Sequence, residues 1–236
     1  MYKTLFFMFV AYALASVYIQ TADLPIKQFT TPIMTGLVVI CAVIGFIAKR
    51  INLKEVIILG LAWGLAACGD IFFEKSMLAA TPEEAGQSFM LGVGLFLLAY
   101  LIFGVSFSVF GILARLRPWV YAVTLAISGI MGVIAYESLL VPPGQNALVV
   151  FYTVQAVILL FGGLLSLFIK RYSFACIGIL LFFSDWLVGL RAFGNPAMMP
   201  QFITEQVLIL ILITYYIPMM ASIDYSFKLQ GKIDRQ

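Results

Sequence analysis

Histidine is absent from the 236-residue chain. That removes the usual zinc sites, Ser-His and Cys-His dyads and imidazole proton shuttles in one step. Chemistry here must use carboxylates, Tyr, Lys, Arg, Ser or Thr. Charge is scarce too: Asp, Glu, Lys and Arg make up 11% of residues, against about 25% in a soluble domain. Cysteine is limited to Cys41, Cys68 and Cys176, far apart, inside apolar runs and without a CxxC, so neither a disulfide framework nor a thiol redox motif is expected. No phosphate loop, nucleophile elbow or metal-ligand spacing occurs. Neither a metal nor a cofactor is expected.

What fills the chain is apolar: 63% hydrophobic residues and a mean hydropathy of +1.08. This excludes a soluble globular domain, a disordered chain and a nucleic-acid binder. The net charge of +3 needs no nucleic acid, because basic loops on one side of a membrane give the same balance. The expected fold is all-α, since only helices and closed barrels satisfy their backbone groups in lipid. About 20 apolar residues span a bilayer. The polar breaks then predict eight transmembrane helices near 4–20, 30–48, 54–74, 88–113, 118–140, 147–169, 173–193 and 202–222. Connections are short, such as Val141-Pro142-Pro143-Gly144-Gln145 or Gly194-Asn195-Pro196, so residues 1–236 read as a single transmembrane domain. With eight spans, eleven of the fourteen basic residues share one side: Lys3, Lys49, Arg50, Lys54, Arg115, Arg117, Lys170, Arg171, Lys228, Lys232 and Arg235. The positive-inside rule makes that side cytoplasmic, with both termini. The expected location is the bacterial inner (cytoplasmic) membrane. Ala13-Leu14-Ala15 after an apolar stretch offers a rival reading of the first span as a cleaved signal peptide, although the apolar run continues to Tyr18.

An ionisable residue inside a span is costly and points to a site. Asp70, in Ala66-Ala67-Cys68-Gly69-Asp70, and Asp185, in Phe182-Phe183-Ser184-Asp185-Trp186, are the two foremost candidates. Each could instead be a neutral or paired aspartate joining two helices. They lie 115 residues apart, as do Tyr100 and Tyr215, which suggests two parallel four-helix repeats around one cavity. Supporting candidates near the same membrane level are Lys27, Thr31, Glu74, Gln155, Arg191 and Glu205. Those at span ends could equally be interfacial residues reaching water. Small residues at Gly60/Gly64/Cys68, Gly104/Ser108, Ser128/Gly132 and Gly162/Ser166 predict seams of close helix approach.

Several blocks together resemble the YhhN membrane family, which includes the lysoplasmalogenases. They are Lys27-Gln28-Phe29-Thr30-Thr31-Pro32, Ala67-Cys68-Gly69-Asp70-Ile71-Phe72-Phe73, Gly94 to Phe103, Phe182-Phe183-Ser184-Asp185 and Ile213-Thr214-Tyr215-Tyr216. The resemblance spans about residues 25–220 and implies eight spans with cytoplasmic termini. It implies that Asp70 and Asp185 are the catalytic carboxylates. This chain departs from the family pattern at Tyr100, where His is usual, and at Gln28, where Pro is usual. The implied substrate is a lysophospholipid bearing an alkenyl ether, cleaved to a fatty aldehyde and a glycerophospho-alcohol. Vinyl ether hydrolysis needs a carboxylic acid to protonate carbon and a carboxylate to steady the cation and activate water, the division seen in glycosidases. Two adjacent carboxylates do not both ionise, and Lys27 would bias which one does. Tyr100 and Tyr215 would bond substrate or water. The rival class is a proton-coupled or lipid transporter using the same aspartates as a relay.

Overall fold

The computed structural model describes residues 2–22, 24, 26–112, 116–141, 146–195 and 201–227. Arg115, residues 142–145, Pro196, Lys228, Lys232 and Arg235, with the side chains of Lys3 and Glu205, lie outside the described residues. Among the described residues eight helices follow in order: α1 (Tyr2–Thr21), α2 (Lys27–Ile47), α3 (Leu53–Leu78), α4 (Pro82–Val109), α5 (Pro118–Glu137), α6 (Asn146–Phe168), α7 (Tyr172–Phe193) and α8 (Gln201–Phe227). Seven, α2 to α8, are long and apolar enough to cross a membrane, whereas the described apolar stretch of α1, Phe6–Thr21, is shorter. The protein is a multi-pass, all-helical membrane protein.

The helix ends have local causes. Asn52 and Glu55 close a capping box at the start of α3: Glu55 N–H donates to Asn52 Oδ1 at 3.0 Å and Asn52 N–H to Glu55 Oε2 at 2.7 Å. The start of α4 lies earlier than the apolar run near residue 88. Thr81 Oγ1 accepts from Glu84 N–H, Pro82 opens the helix, and Glu83 and Glu84 occupy the first turn, all of which favour an N-terminus. Helices α2 and α6 end alike. Lys49 (φ 55°) and Lys170 (φ 59°) are left-handed. Arg50 N–H returns to Gly45 O and Arg171 N–H to Ser166 O, each at 2.8 Å. This is the bonding of a Schellman stop, in which glycine is the usual left-handed residue. At the end of α4, Gly111 takes that role with φ 69°.

The chain forms two compact units. The first contains α1, α2, α3, α4 through Phe103, and α8 from Met219; the second contains α4 from Gly104, α5, α6, α7, and α8 through Pro218. In the first unit, Trp63 Nε1–H donates to Ser222 Oγ at 2.9 Å, and Tyr225 O–H donates to Glu55 Oε1, tying α3 to the end of α8. Gly45 faces the Ser226 carbonyl so closely that a methyl group there would overlap it. In the second unit, Gly163 and Gly178 bring the backbones of α6 and α7 into contact. Ala135, Ala156, Leu160 and Phe182 form an apolar core joining α5, α6 and α7. Gly132 and Gly162 accommodate Val157 and Phe107, as close helix approach predicts. Gly60 and Gly64 do not: a methyl group on either would meet nothing among the described residues, and Cys68 is exposed. That small-residue stripe is not a seam within the described residues.

Candidate functional site

Among the described residues two aspartates are buried: Asp70 at 6% exposure and Asp185 at 5%. Asp70 belongs to the first unit and Asp185 to the second.

Asp70 stands on α3 against the buried face of α2, which presents Thr30, Thr31, Met34, Thr35, Val38, Cys41, Ala42 and Gly45. The spacing is that of one helix face, and its threonines supply hydroxyls where the rest is apolar. Asp70 Oδ2 and Thr35 Oγ1 are 2.6 Å apart. Thr35 Oγ1 is also 2.6 Å from the Thr31 carbonyl oxygen. The first turn of α2 is in turn held by α1. Gln20 Nε2 donates to Thr30 Oγ1 at 2.9 Å and to Thr31 Oγ1 at 2.7 Å, and Tyr12 O–H donates to the Thr30 carbonyl at 3.0 Å. Behind Asp70, Gly69 makes room for the Phe96 ring and Gly92 for the Phe73 ring. Phe73 and Phe96 stack with centroids 5.2 Å apart, and Phe96 lies 5.8 Å from the Tyr100 ring.

One helical turn from Asp70, Glu74 lines an open cleft of about 1080 Å³ formed by the N-terminal end of α2, the C-terminal end of α3 and the start of α4. Its apolar wall includes Phe29, Ile33, Ile71 and Leu78; its polar groups are Gln28, Glu74, Lys75, Glu84, Gln87 and Ser88. Pro32 also lines it and has no N–H, so the Gln28 carbonyl lacks its usual i+4 donor there. A cleft with one greasy side and a charged rim suits an amphiphile better than a small polar solute.

The chain's relationship follows from its length of match: the YhhN family model covers residues 22–221. The chain belongs to the YhhN family. No curated protein and no solved structure matches it. The family match takes in both aspartates and every supporting residue singled out from the sequence.

Within this YhhN chain the predicted residues are divided between the two units. Lys27 begins α2, half-buried, and its carbonyl accepts from Thr30 Oγ1 at 2.8 Å. Thr31 is buried, its carbonyl against the Thr35 hydroxyl and its own hydroxyl bonded by Gln20, and Glu74 lies in the cleft. Tyr100 is buried in the aromatic stack. In the second unit, Asp185 lies between Ser184 and Trp186 on α7, where Phe182, Phe183 and Trp186 contact one another. Trp186 Nε1–H donates to Ser138 Oγ at 2.9 Å, which fixes the indole next to Asp185. Gln155 is buried on α6, Tyr215 is buried on α8 against Tyr216, and Arg191 is exposed in the last turn of α7. Sequence reasoning missed Thr35 and Gln20. The available signal was Thr31 and Thr35 at i and i+4, a polar pair on one face of a membrane helix.

Proposed function

We propose that this protein is a lysoplasmalogenase-like hydrolase that cleaves the vinyl ether of a lysophospholipid, with Asp70 and Asp185 as its acid and base. The observation that carries the reading is a buried aspartate bonded to a threonine hydroxyl, one helical turn from a glutamate that lines an open amphiphilic cleft, in a YhhN-family membrane chain. In this reading the chain spans the bacterial inner membrane eight times with both termini in the cytoplasm. The lysolipid places its chain along Phe29, Ile33 and Ile71 and its polar head near Gln28, Lys75 and Glu84.

The chemistry proceeds by proton transfer and needs only water as co-reactant. A carboxylic acid gives its proton to the β-carbon of the vinyl ether. The carbon–carbon π pair forms the new C–H bond, and the α-carbon becomes an oxocarbenium ion. The second carboxylate steadies that cation and takes a proton from water as the water oxygen bonds to the α-carbon. The hemiacetal then loses its O–H proton and expels the glycerol oxygen. That oxygen leaves as an alcohol after taking a proton from the second carboxyl group, and the first carboxylate recovers the hemiacetal proton. Tyr100 and Tyr215 support substrate or water by hydroxyl hydrogen bonds.

The test is release of fatty aldehyde from a lysoplasmalogen by detergent-purified protein. Wild type is expected to turn over, with aldehyde release at least about 100-fold lower in Asp70→Asn. Undiminished release in that variant overturns the assignment. Movement of lysolipid across proteoliposomes without aldehyde favours the transporter instead.

A further inference from the structure

We infer that Thr35 holds a proton on Asp70 Oδ2, which makes Asp70 the acid of the proposed reaction and Thr35 its positioning residue. The role in turnover rests on the hydrolase reading; the location of the proton does not.

Three oxygens stand in a row. Thr35 Oγ1 is 2.6 Å from Asp70 Oδ2 on one side and 2.6 Å from the Thr31 carbonyl oxygen on the other. Both separations are at the short end for O–H···O hydrogen bonds, and each requires a proton between the oxygens. Threonine brings one proton and a carbonyl brings none. The second proton therefore comes from the Asp70 carboxyl group. The order that satisfies both contacts is Asp70 Oδ2–H donating to Thr35 Oγ1, and Thr35 O–H donating to the Thr31 carbonyl. In the opposite order, Thr35 would donate to an ionised Asp70. The threonine and carbonyl oxygens would then face each other at 2.6 Å with no hydrogen between them.

The surroundings hold this order in place. Thr35 is fully buried and Thr31 is 7% exposed, so bulk water does not replace either contact. Gln20 uses its two amide hydrogens on Thr30 and Thr31, and Tyr12 binds the Thr30 carbonyl. The acceptor that orients Thr35 is thus fixed from α1 as well as from α2.

The same hydroxyl has a second use. When the Asp70 Oδ2–H bond breaks and its proton forms the C–H bond on the substrate, the carboxyl group is left as carboxylate. Thr35 then rotates its O–H from the Thr31 carbonyl to Asp70 Oδ2 and donates where the negative charge has formed. Such a donor acts on the transition state more than on bound substrate. Losing it is expected to lower kcat by about 10- to 100-fold, as for one hydrogen bond to a charged group, with KM little changed.

The decisive experiment is infrared difference spectroscopy of the full chain in lipid, wild type minus Asp70→Asn. The expected result is a protonated-carboxyl C=O band that shifts on exchange into D2O. It moves to higher frequency in Thr35→Val and stays in place in Thr35→Ser. Carboxylate bands in its stead, or an acid band unmoved by Thr35→Val, overturn the inference. Should Thr35→Val fail to fold, the wild-type difference spectrum still decides where the proton is. The kinetic arm asks for a kcat loss in Thr35→Val rescued by Thr35→Ser. An acid band sensitive to Thr35 in a protein that releases no aldehyde would defeat the hydrolase reading alone. Aldehyde release with Asp70 ionised would defeat this inference alone.

Discussion

In the first unit, helices meet through hydroxyl, indole and carboxyl groups: Thr35 with Asp70, Trp63 with Ser222, Tyr225 with Glu55, Gln20 with Thr30 and Thr31. In the second, α6 and α7 meet through Gly163 and Gly178, and α5 joins them through Ala135, Ala156, Leu160 and Phe182. Both units bury one aspartate in a spanning helix, yet its neighbours differ. Asp70 lies against the Thr35 hydroxyl, which also meets the Thr31 carbonyl. Asp185 stands in sequence among Phe182, Phe183 and Trp186, and the Trp186 indole is tethered to Ser138. The contrast teaches that a membrane aspartate is not one kind of group.

The comparison can be broken most sharply at the carboxylates. Asp70→Asn and Asp185→Asn are each expected to cut aldehyde release by at least about 100-fold. Substantial activity in one variant alone would confine catalysis to the other unit's aspartate. Next in size is packing. Gly178→Ala should lower stability by about 1–3 kcal/mol, because its methyl would strike the Leu159 carbonyl and the Gly163 backbone. Gly60→Ala meets open space and should instead gain up to about 1 kcal/mol from helix propensity. Thermal unfolding in detergent separates the two.

A smaller effect should be equal in both units. Lys49→Gly and Lys170→Gly each relieve a left-handed lysine and are expected to stabilise by about 1 kcal/mol. Unequal shifts in unfolding temperature would show that one lysine has a compensating role. Smallest are the indole bonds. Trp63→Phe and Trp186→Phe remove N–H donors to Ser222 and Ser138, each expected to cost about 0.6 kcal/mol. A larger loss at the fully buried Trp63 would mark the first unit as the more dependent on polar contacts.

The helices and the buried aspartates were legible in the sequence for one reason. Water-seeking groups interrupt apolar runs at few places, and those places are either ends or sites. Thr35 was not legible, because a threonine in a membrane helix commonly bonds its own backbone and looks the same with or without a carboxylate beside it. The cleft needs the ends of three helices at once, and no single segment announces it. The two-unit division was hidden because it falls inside α4 and α8, where no loop or change in composition marks it. Pro218 alone stands at such a boundary. The stripe Gly60/Gly64/Cys68 misled because small residues permit close approach without requiring it.

The bond from Trp63 to Ser222 links residues 159 positions apart, and that from Tyr225 to Glu55 links residues 170 apart. A ribosome makes α3 well before the closing turns of α8. The unit that begins first is therefore finished second, and until then Trp63, Glu55 and the bare backbone at Gly45 have to wait beside lipid or other helices. Emergence of the closing turns of α8, rather than of α3, is the moment when the partners of Trp63, Glu55 and Gly45 become available.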